Sequence, residues 1–242
     1  ALQGPMLKRI LTACIEKSED QGKLGKLRRT RLTEIVVDGY SVIVTRTGYT
    51  GEKMGYELYV HPDNLPALWN KLMETGKDSG IRPCGLAARD SLRIEAGLPL
   101  YGHELAGTYN ISPAEAGFAG YVKYHKPFFI GRDVRLQLDM DRGMELIRWQ
   151  VDKKGVRRPN PEDVIVNKNG VVIGNVTSCS IDADGRLIGL GLVQKKYTEP
   201  DSEIAVYLKK SGKKAGKTAD DAAVGDRLTV PIPARILPRF ME

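Results

Sequence analysis

The sequence predicts an α+β chain in which a helix-and-strand portion gives way to a small antiparallel β-barrel or sandwich. Three observations lead there. In the first half, stretches with helical spacing alternate with β-rich runs. From about Met144 onward, short strand-like runs follow one another with turn signals between them and no long helical stretch. Between the two lies a polar, glycine-containing break at residues 138–144, which sets the expected domains at 1–140 and 141–242.

Taken in order, residues 2–19 place Leu2, Met6, Leu7, Ile10, Leu11, Cys14 and Ile15 at helical spacing and read as an amphipathic helix. Residues 22–29, with Lys23, Lys26, Arg28 and Arg29, read as a flexible basic linker. Two β-rich runs at 34–37 and 41–45 flank Asp38-Gly39, the dipeptide that suits a tight hairpin because both of its residues tolerate positive φ. A third strand is expected at 56–60. Pro62-Asp63 then opens a helix with Leu65, Leu68, Trp69, Leu72 and Met73 on one face. A further helix is expected at 86–95, with Leu86, Leu92 and Ile94 inward. Arg89 and Arg93, four apart, share a face, so that one can reach a ligand while the other pairs with Asp90, Glu95 or solvent. In the second half, strands are expected at 145–151, 163–166, 171–177, 187–193, 203–208 and 227–232, with turns at Asn169-Gly170 and Asp184-Gly185. The five lysines of 209–217 read as a solvated hairpin loop.

The bulk numbers exclude several classes. Hydrophobic residues make up 41% and charged residues 28% of 242, the balance of a soluble globular protein. No apolar run reaches the roughly 20 residues of a membrane helix, and the opening residues lack the order of a secretory signal. Cys14, Cys84 and Cys179 are odd in number and contain no C-x-x-C pair, so neither a disulfide framework nor a zinc site is supported. A reducing compartment, the cytoplasm, fits best. His61, His103 and His125 include no i, i+4 pair, and no protein-bound metal is expected. A net charge of +7 invites an anionic partner, a polyglutamylated tail among them. The basic residues do not form one stripe interleaved with aromatics, and no nucleic-acid-binding motif is present.

The stretch from Arg46 to Tyr101 carries the chemistry. It opens Arg-Thr-Gly-Tyr-Thr-Gly-Glu, passes through Gly55-Tyr56-Glu57-Leu58 and ends in Gly85-Leu-Ala-Ala-Arg89-Asp90-Ser-Leu-Arg93-Ile-Glu95. One carboxylate and one guanidinium in an apolar body suit a flat, hydrogen-bonding ligand. A carboxylate accepts two parallel N–H bonds, as the 2-amino and N3–H edge of a pterin would offer. Those residues alone define a polar ligand cleft.

The same stretch resembles the glycine-cleavage T-protein (aminomethyltransferase) family, and the resemblance continues outward. Ala1-Leu-Gln-Gly-Pro5, Ser112-Pro-Ala-Glu-Ala-Gly-Phe-Ala-Gly-Tyr-Val-Lys and Phe129-Ile-Gly-Arg-Asp133 match family segments in the right order over about the first half of the chain. The resemblance implies a folate-binding α/β portion, incomplete at its N-terminus, followed by a β-barrel domain. It implies tetrahydrofolate as cofactor and a lipoylated H-protein, or a small-molecule one-carbon donor, as partner. By it, Glu57 matches the pterin-binding glutamate, Tyr49 an aromatic lining the folate site, and Arg89 an arginine that contacts the folate. Read from the residues alone, Glu57 is a surface acid opposite Tyr56 and Leu58, Tyr49 a packing tyrosine at a turn, and Arg89 a salt-bridge partner of Asp90 or Glu95.

Two departures from the family pattern stand out. Four residues separate Glu52 from Glu57 where the family usually has three, which bears on the group transferred. His103-Glu104 replaces other polar residues and reads as part of the rim. The family's assisting aspartate would precede Ala1, so no catalytic acid or base is assigned. The implied activity is aminomethyl transfer to tetrahydrofolate, by an enzyme that this portion alone would not complete. A folate-dependent demethylase or methyltransferase of the same superfamily, and a non-catalytic folate-binding protein, are the alternatives.

Overall fold

Asp38 and Gly39 both adopt positive φ, 50° and 80°, and close a tight hairpin between β2 (Leu32–Val37) and β3 (Tyr40–Thr45), as the dipeptide predicts. Ile35 faces Val42 across this antiparallel pair, and Ile35, Val37, Val42 and Val44 are all buried on one side. The structure is a computed structural model and describes residues 1–140, 142–161, 163–208, 222–228 and 232–241. Its contacts divide the chain into two compact units, Ala1–Arg89 and Asp90–Glu242. The lysine-rich stretch 209–217 lies outside the described residues.

In the first unit a four-stranded antiparallel sheet runs β1-β4-β3-β2, with β1 at Leu2–Gln3 and β4 at Gly55–Tyr59. Three helices accompany it: α1 (Leu7–Ala13), α2 (Ser18–Lys26) and α3 (Leu65–Thr75). Leu7, Ile10, Leu11, Leu24, Leu68 and Leu72 join the buried strand residues in one core.

The expected helix over residues 2–19 is therefore divided. Its first residues pair with β4, and its last belong to α2. The basic linker expected at 22–29 is in large part the end of α2, and three interactions explain why. Gln21 donates to the Ile15 carbonyl at 2.7 Å, Leu24 is buried, and the Asp20 carboxylate accepts from Lys23 at 2.9 Å and from the Val36 N–H at 3.1 Å. Lys23 and Lys26 also sit in the last turn, where a cation complements the exposed carbonyls. In α3, Leu65 and Trp69 are exposed, so the inward stripe narrows to Leu68 and Leu72.

The Lys23 ammonium, with the Val36 N–H, holds the Asp20 carboxyl below its ordinary 3.8. A depressed acid stabilises the fold above its unfolded pKa, and that contribution is lost as pH falls through the lower folded value. Melting temperature followed from pH 6 to pH 2 is expected to lose part of its acid-limb slope in Asp20→Asn. An unchanged slope would remove Asp20 from the acid response.

The second unit contains the barrel. Strands β5 (Met144–Val151), β6 (Val164–Asn167), β7 (Val172–Ile181), β8 (Leu187–Gln194), β9 (Glu203–Tyr207) and β10 (Ile232–Leu237) close in the order β10-β5-β8-β7-β6-β9, every pair antiparallel. The α+β class with a closed antiparallel barrel is thus what the chain adopts. Of the strand expected at 227–232, residues 229–231 lie outside the described residues; Arg227 makes an isolated bridge to Val171, and β10 begins at Ile232.

Trp149 fills the barrel interior. It lies across from Gly189 in the β5–β8 register, and a Cβ on Gly189 would come within 2.2 Å of the indole. Cys179 is buried in the same core, and burial pushes its thiol up to about 12. Two helices complete the description: α4 (Leu86–Glu95), which crosses the division between the units, and α5 (Arg132–Met140). On α4, Leu86 and Leu92 are exposed and Ile94 is buried.

Candidate functional site

The β3–β4 connection builds the candidate site. Glu57 on β4 is half-buried, while its neighbour Tyr56 is buried in the sheet core, so alternation sends the carboxylate to the opposite face. The Thr47 hydroxyl donates to that carboxylate and lies 2.6 Å from the Thr45 hydroxyl. Thr50 donates to the Gln3 side-chain oxygen, and Gln3 pairs with Gly55 across β1 and β4. Two glycines let the connection fold this tightly. A Cβ on Gly55 would stand 2.8 Å from the Thr47 carbonyl, and one on Gly48 would stand 3.1 Å from the Gln3 amide.

The four-residue spacing between Glu52 and Glu57 is taken up by Met54. It packs on the sheet core and lies 3.2 Å from the Arg46 guanidinium, which also donates to the Leu27 carbonyl. Beside Thr47 opens a cleft of about 130 Å³ whose walls include Arg29, Arg46, Lys53 and Glu52. With three cations to one acid, this rim is suited to polar or anionic groups.

Tyr49 is half-buried within the connection. Arg89 is exposed on α4; its backbone N–H donates to the Gly85 carbonyl at 3.1 Å, and among the described residues its guanidinium makes no hydrogen bond or ion pair. No such bond joins Glu57 to Arg89. The structure therefore joins Glu57 to Thr47 and leaves the Arg89 guanidinium free. The salt-bridge alternative for Arg89 is not realised, because Asp90 pairs with Arg93 at 2.7 Å.

Arg93 is the structural member of the pair. It is 1% exposed and donates to Glu104 at 2.9 Å, to Ser178 at 2.9 Å and to the Leu98 carbonyl at 3.1 Å. Glu104 is 0% exposed, so the rim reading of that residue is overturned. Its second oxygen accepts from Ser178 at 2.5 Å, and its first also accepts from the Leu100 N–H at 2.9 Å. A carboxylate with this many donors belongs to the interior.

Sequence reasoning missed Gln3, Thr47 and the basic walls of the cleft. Both Gln3 and Thr47 stand inside quoted motifs, and a hydroxyl ten residues before the acid in a hairpin was the available signal. A second hollow, of about 290 Å³, lies on the barrel, with Leu146, Glu199 and Leu237 in its walls; none of Tyr49, Glu57 or Arg89 lines it. Among the described residues no cluster of His, Cys, Asp and Glu could hold a metal ion, and no helix is long and apolar enough to cross a membrane.

Comparison with known proteins adds three findings. The family model described as GCVT N-terminal domain matches residues 1–126. An aminomethyltransferase of Alkaliphilus metalliredigens is 38% identical over 218 residues, covering 89% of this chain and 56% of the relative. One from Halalkalibacterium halodurans is 38% identical over 213 residues, covering 87% and 55%. The chain thus spans little more than half the length of these relatives. Among solved structures, that of the glycine cleavage system aminomethyltransferase T from Bartonella henselae is similar in fold, with a TM-score of 0.73 at 24% identity. It matches 98% of this chain and 57% of that one.

Proposed function

This chain belongs to the GCVT N-terminal domain family, and from that premise we propose that it is the folate-binding and barrel portion of a tetrahydrofolate-dependent aminomethyltransferase. The observation that carries the reading is the half-buried Glu57 carboxylate, turned away from the core and held by Thr47 at the end of the glycine-rich connection. Such a carboxylate can accept the two parallel N–H groups of a pterin edge. Tyr49 supplies an aromatic surface on the same connection. The Arg89 guanidinium, without a partner among the described residues, supplies a cation for the folate's carbonyl or carboxylate groups.

In the proposed reaction the donor is an aminomethyl group on the lipoyl arm of an H-protein. The methylene carbon ends bonded to folate N5 and N10, its bonds to sulfur and nitrogen break, and a free thiol and ammonia leave. Protons from N5 and N10 go to those leaving groups, and no oxidant is needed. The protein's part is to position the carrier and exclude water. No residue of this chain is given the role of acid or base. We keep the domain division at 140/141 as the point where the folate-binding portion gives way to the barrel, and we place the protein in the cytoplasm on its three free cysteines.

Calorimetric titration with tetrahydrofolate tests the reading, on this chain and on a relative of full length. Binding is expected to weaken at least tenfold in Glu57→Ala, the loss of a charge-assisted hydrogen-bond pair at about 1.5–3 kcal/mol. Undiminished binding by the variant would remove Glu57 from the site. The four-residue spacing before Glu57 favours a second reading, a demethylase or methyltransferase of the same superfamily. Product analysis separates them: methylene-tetrahydrofolate with ammonia, or another folate product without it. Binding without turnover in a complete protein would leave a folate-binding protein.

A further inference from the structure

The cleft beside Thr47 gathers cations that the first unit does not pair. Below the β2–β3 hairpin, the Thr30 N–H donates to the Arg46 carbonyl at 3.1 Å and the Arg46 N–H to the Arg31 carbonyl at 2.9 Å, which fastens the chain next to Arg29 against Arg46. Thr30 takes a φ of 63°, a conformation that a β-branched residue keeps only where its surroundings fix it. Glu52 and Lys53 enter the same walls from the glycine-rich connection. Arg46 spends part of its fork on the Leu27 carbonyl and the Met54 sulfur, each at 3.2 Å, and keeps further donors. Among the described residues, the charged groups of Arg29 and Lys53 make no hydrogen bond or ion pair, and Glu52 pairs with none of the three cations. The backbone N–H groups of Gly48, Glu52 and Lys53, in the same walls, likewise have no acceptor among the described residues.

We propose that this cleft is a binding site for a dianionic oxyanion of the phosphate class. Its three cations and one acid give the walls a net charge of +2, which one such ion neutralises. Guanidinium forks match the oxygens of a phosphate, and backbone N–H groups of a glycine-rich turn add donors without adding bulk. Like charges gathered around one hollow repel each other, a cost that a bound dianion removes. Size selects a single group: at about 130 Å³ the cleft is well below the roughly 300–1,000 Å³ of pockets for drug-sized ligands. The terminal carboxylates of a folate are the wrong occupant. Thr47 both lines the cleft and donates to Glu57, so a pterin seated on Glu57 leaves those carboxylates at the far end of the molecule, away from Arg29 and Lys53.

Calorimetric titration of this chain with sodium phosphate at pH 8, with ionic strength held constant by sodium chloride, tests the site. Expected are one saturable site, comparable binding of sulfate, and binding of acetate weaker by about tenfold or more. Arg29→Gln/Lys53→Gln should weaken phosphate by about tenfold or more. Its melting temperature should stay level or rise, because neither charged group has a partner to lose among the described residues. In amide spectra the same titration should move Gly48, Glu52 and Lys53 together. Methyl phosphate separates two sources of the ion, and either result supports the site: binding equal to that of phosphate assigns the cleft to the phosphate group of a larger ligand, and weaker binding to the free ion. Phosphate binding that survives the double substitution overturns the proposal. So does a titration that chloride reproduces at equal ionic strength, which is charge screening only. None of these readouts involves folate, so the site is tested apart from the role of Glu57.

Discussion

Glu104→Ala is expected to destabilise the chain by about 3–5 kcal/mol, because it leaves the Arg93 guanidinium buried without its principal counter-charge. Arg93 would keep Asp90 at 2.7 Å, but Ser178 and the Leu100 N–H would each lose an acceptor as well. For a chain of this size the melting temperature should fall by on the order of 10 °C. Glu104→Gln preserves the shape and one acceptor, and it should cost about half as much. Paired replacement of Arg93 and Glu104 by methionine should be close to neutral, since a buried ion pair exchanged for well-packed apolar side chains commonly is. Chemical denaturation of the three variants decides the matter. A loss below about 1 kcal/mol in Glu104→Ala would mean that Asp90 alone neutralises the arginine.

Trp149→Ala should be comparably severe, at about 3–5 kcal/mol, because it empties the centre of the barrel. The indole is fully buried, and its N–H finds no acceptor among the described residues, so its contribution is volume and contact area rather than a hydrogen bond. The companion Gly189→Ala should also destabilise, by about 1–3 kcal/mol, as its Cβ is forced against the ring and the Ser178 carbonyl. The two effects are coupled. In the double variant the added methyl occupies part of the vacated space, and the sum of the single losses should exceed the observed loss by at least about 0.5 kcal/mol. Strict additivity by urea unfolding would refute the direct contact.

What the sequence made legible follows the range of the interaction involved. The Asp38-Gly39 turn and the strand alternation around Glu57 depend on neighbours a few residues away, and both stand where expected. The barrel strands from β5 to β9 were readable for the same reason. Arg93 and Glu104 were not, because what makes them interior is Ser178, 74 residues beyond Glu104 in the chain. On composition a charged pair near glycines belongs to a surface; only the fold supplies the buried partners. The end of α2 was misread by the same logic, since its basic residues look like a linker until Leu24 and Asp20 are seen to be fastened to the sheet. Around the candidate site, the face of β4 that Glu57 occupies was legible. The threonine that orients it and the cationic cleft needed coordinates.

The closed barrel has no unpaired strand, whereas β2 ends the four-stranded sheet with one side open. Asp20 occupies that side by accepting the Val36 N–H, and the Cys14 carbonyl accepts the Asp38 N–H at 2.9 Å. The carboxylate whose charge steadies α2 is therefore also a guard against intermolecular strand pairing. Acid that protonates Asp20 would weaken this guard on a strand containing Leu32, Ile35, Val36 and Val37. Self-association in acid should begin at this strand, with the barrel still intact.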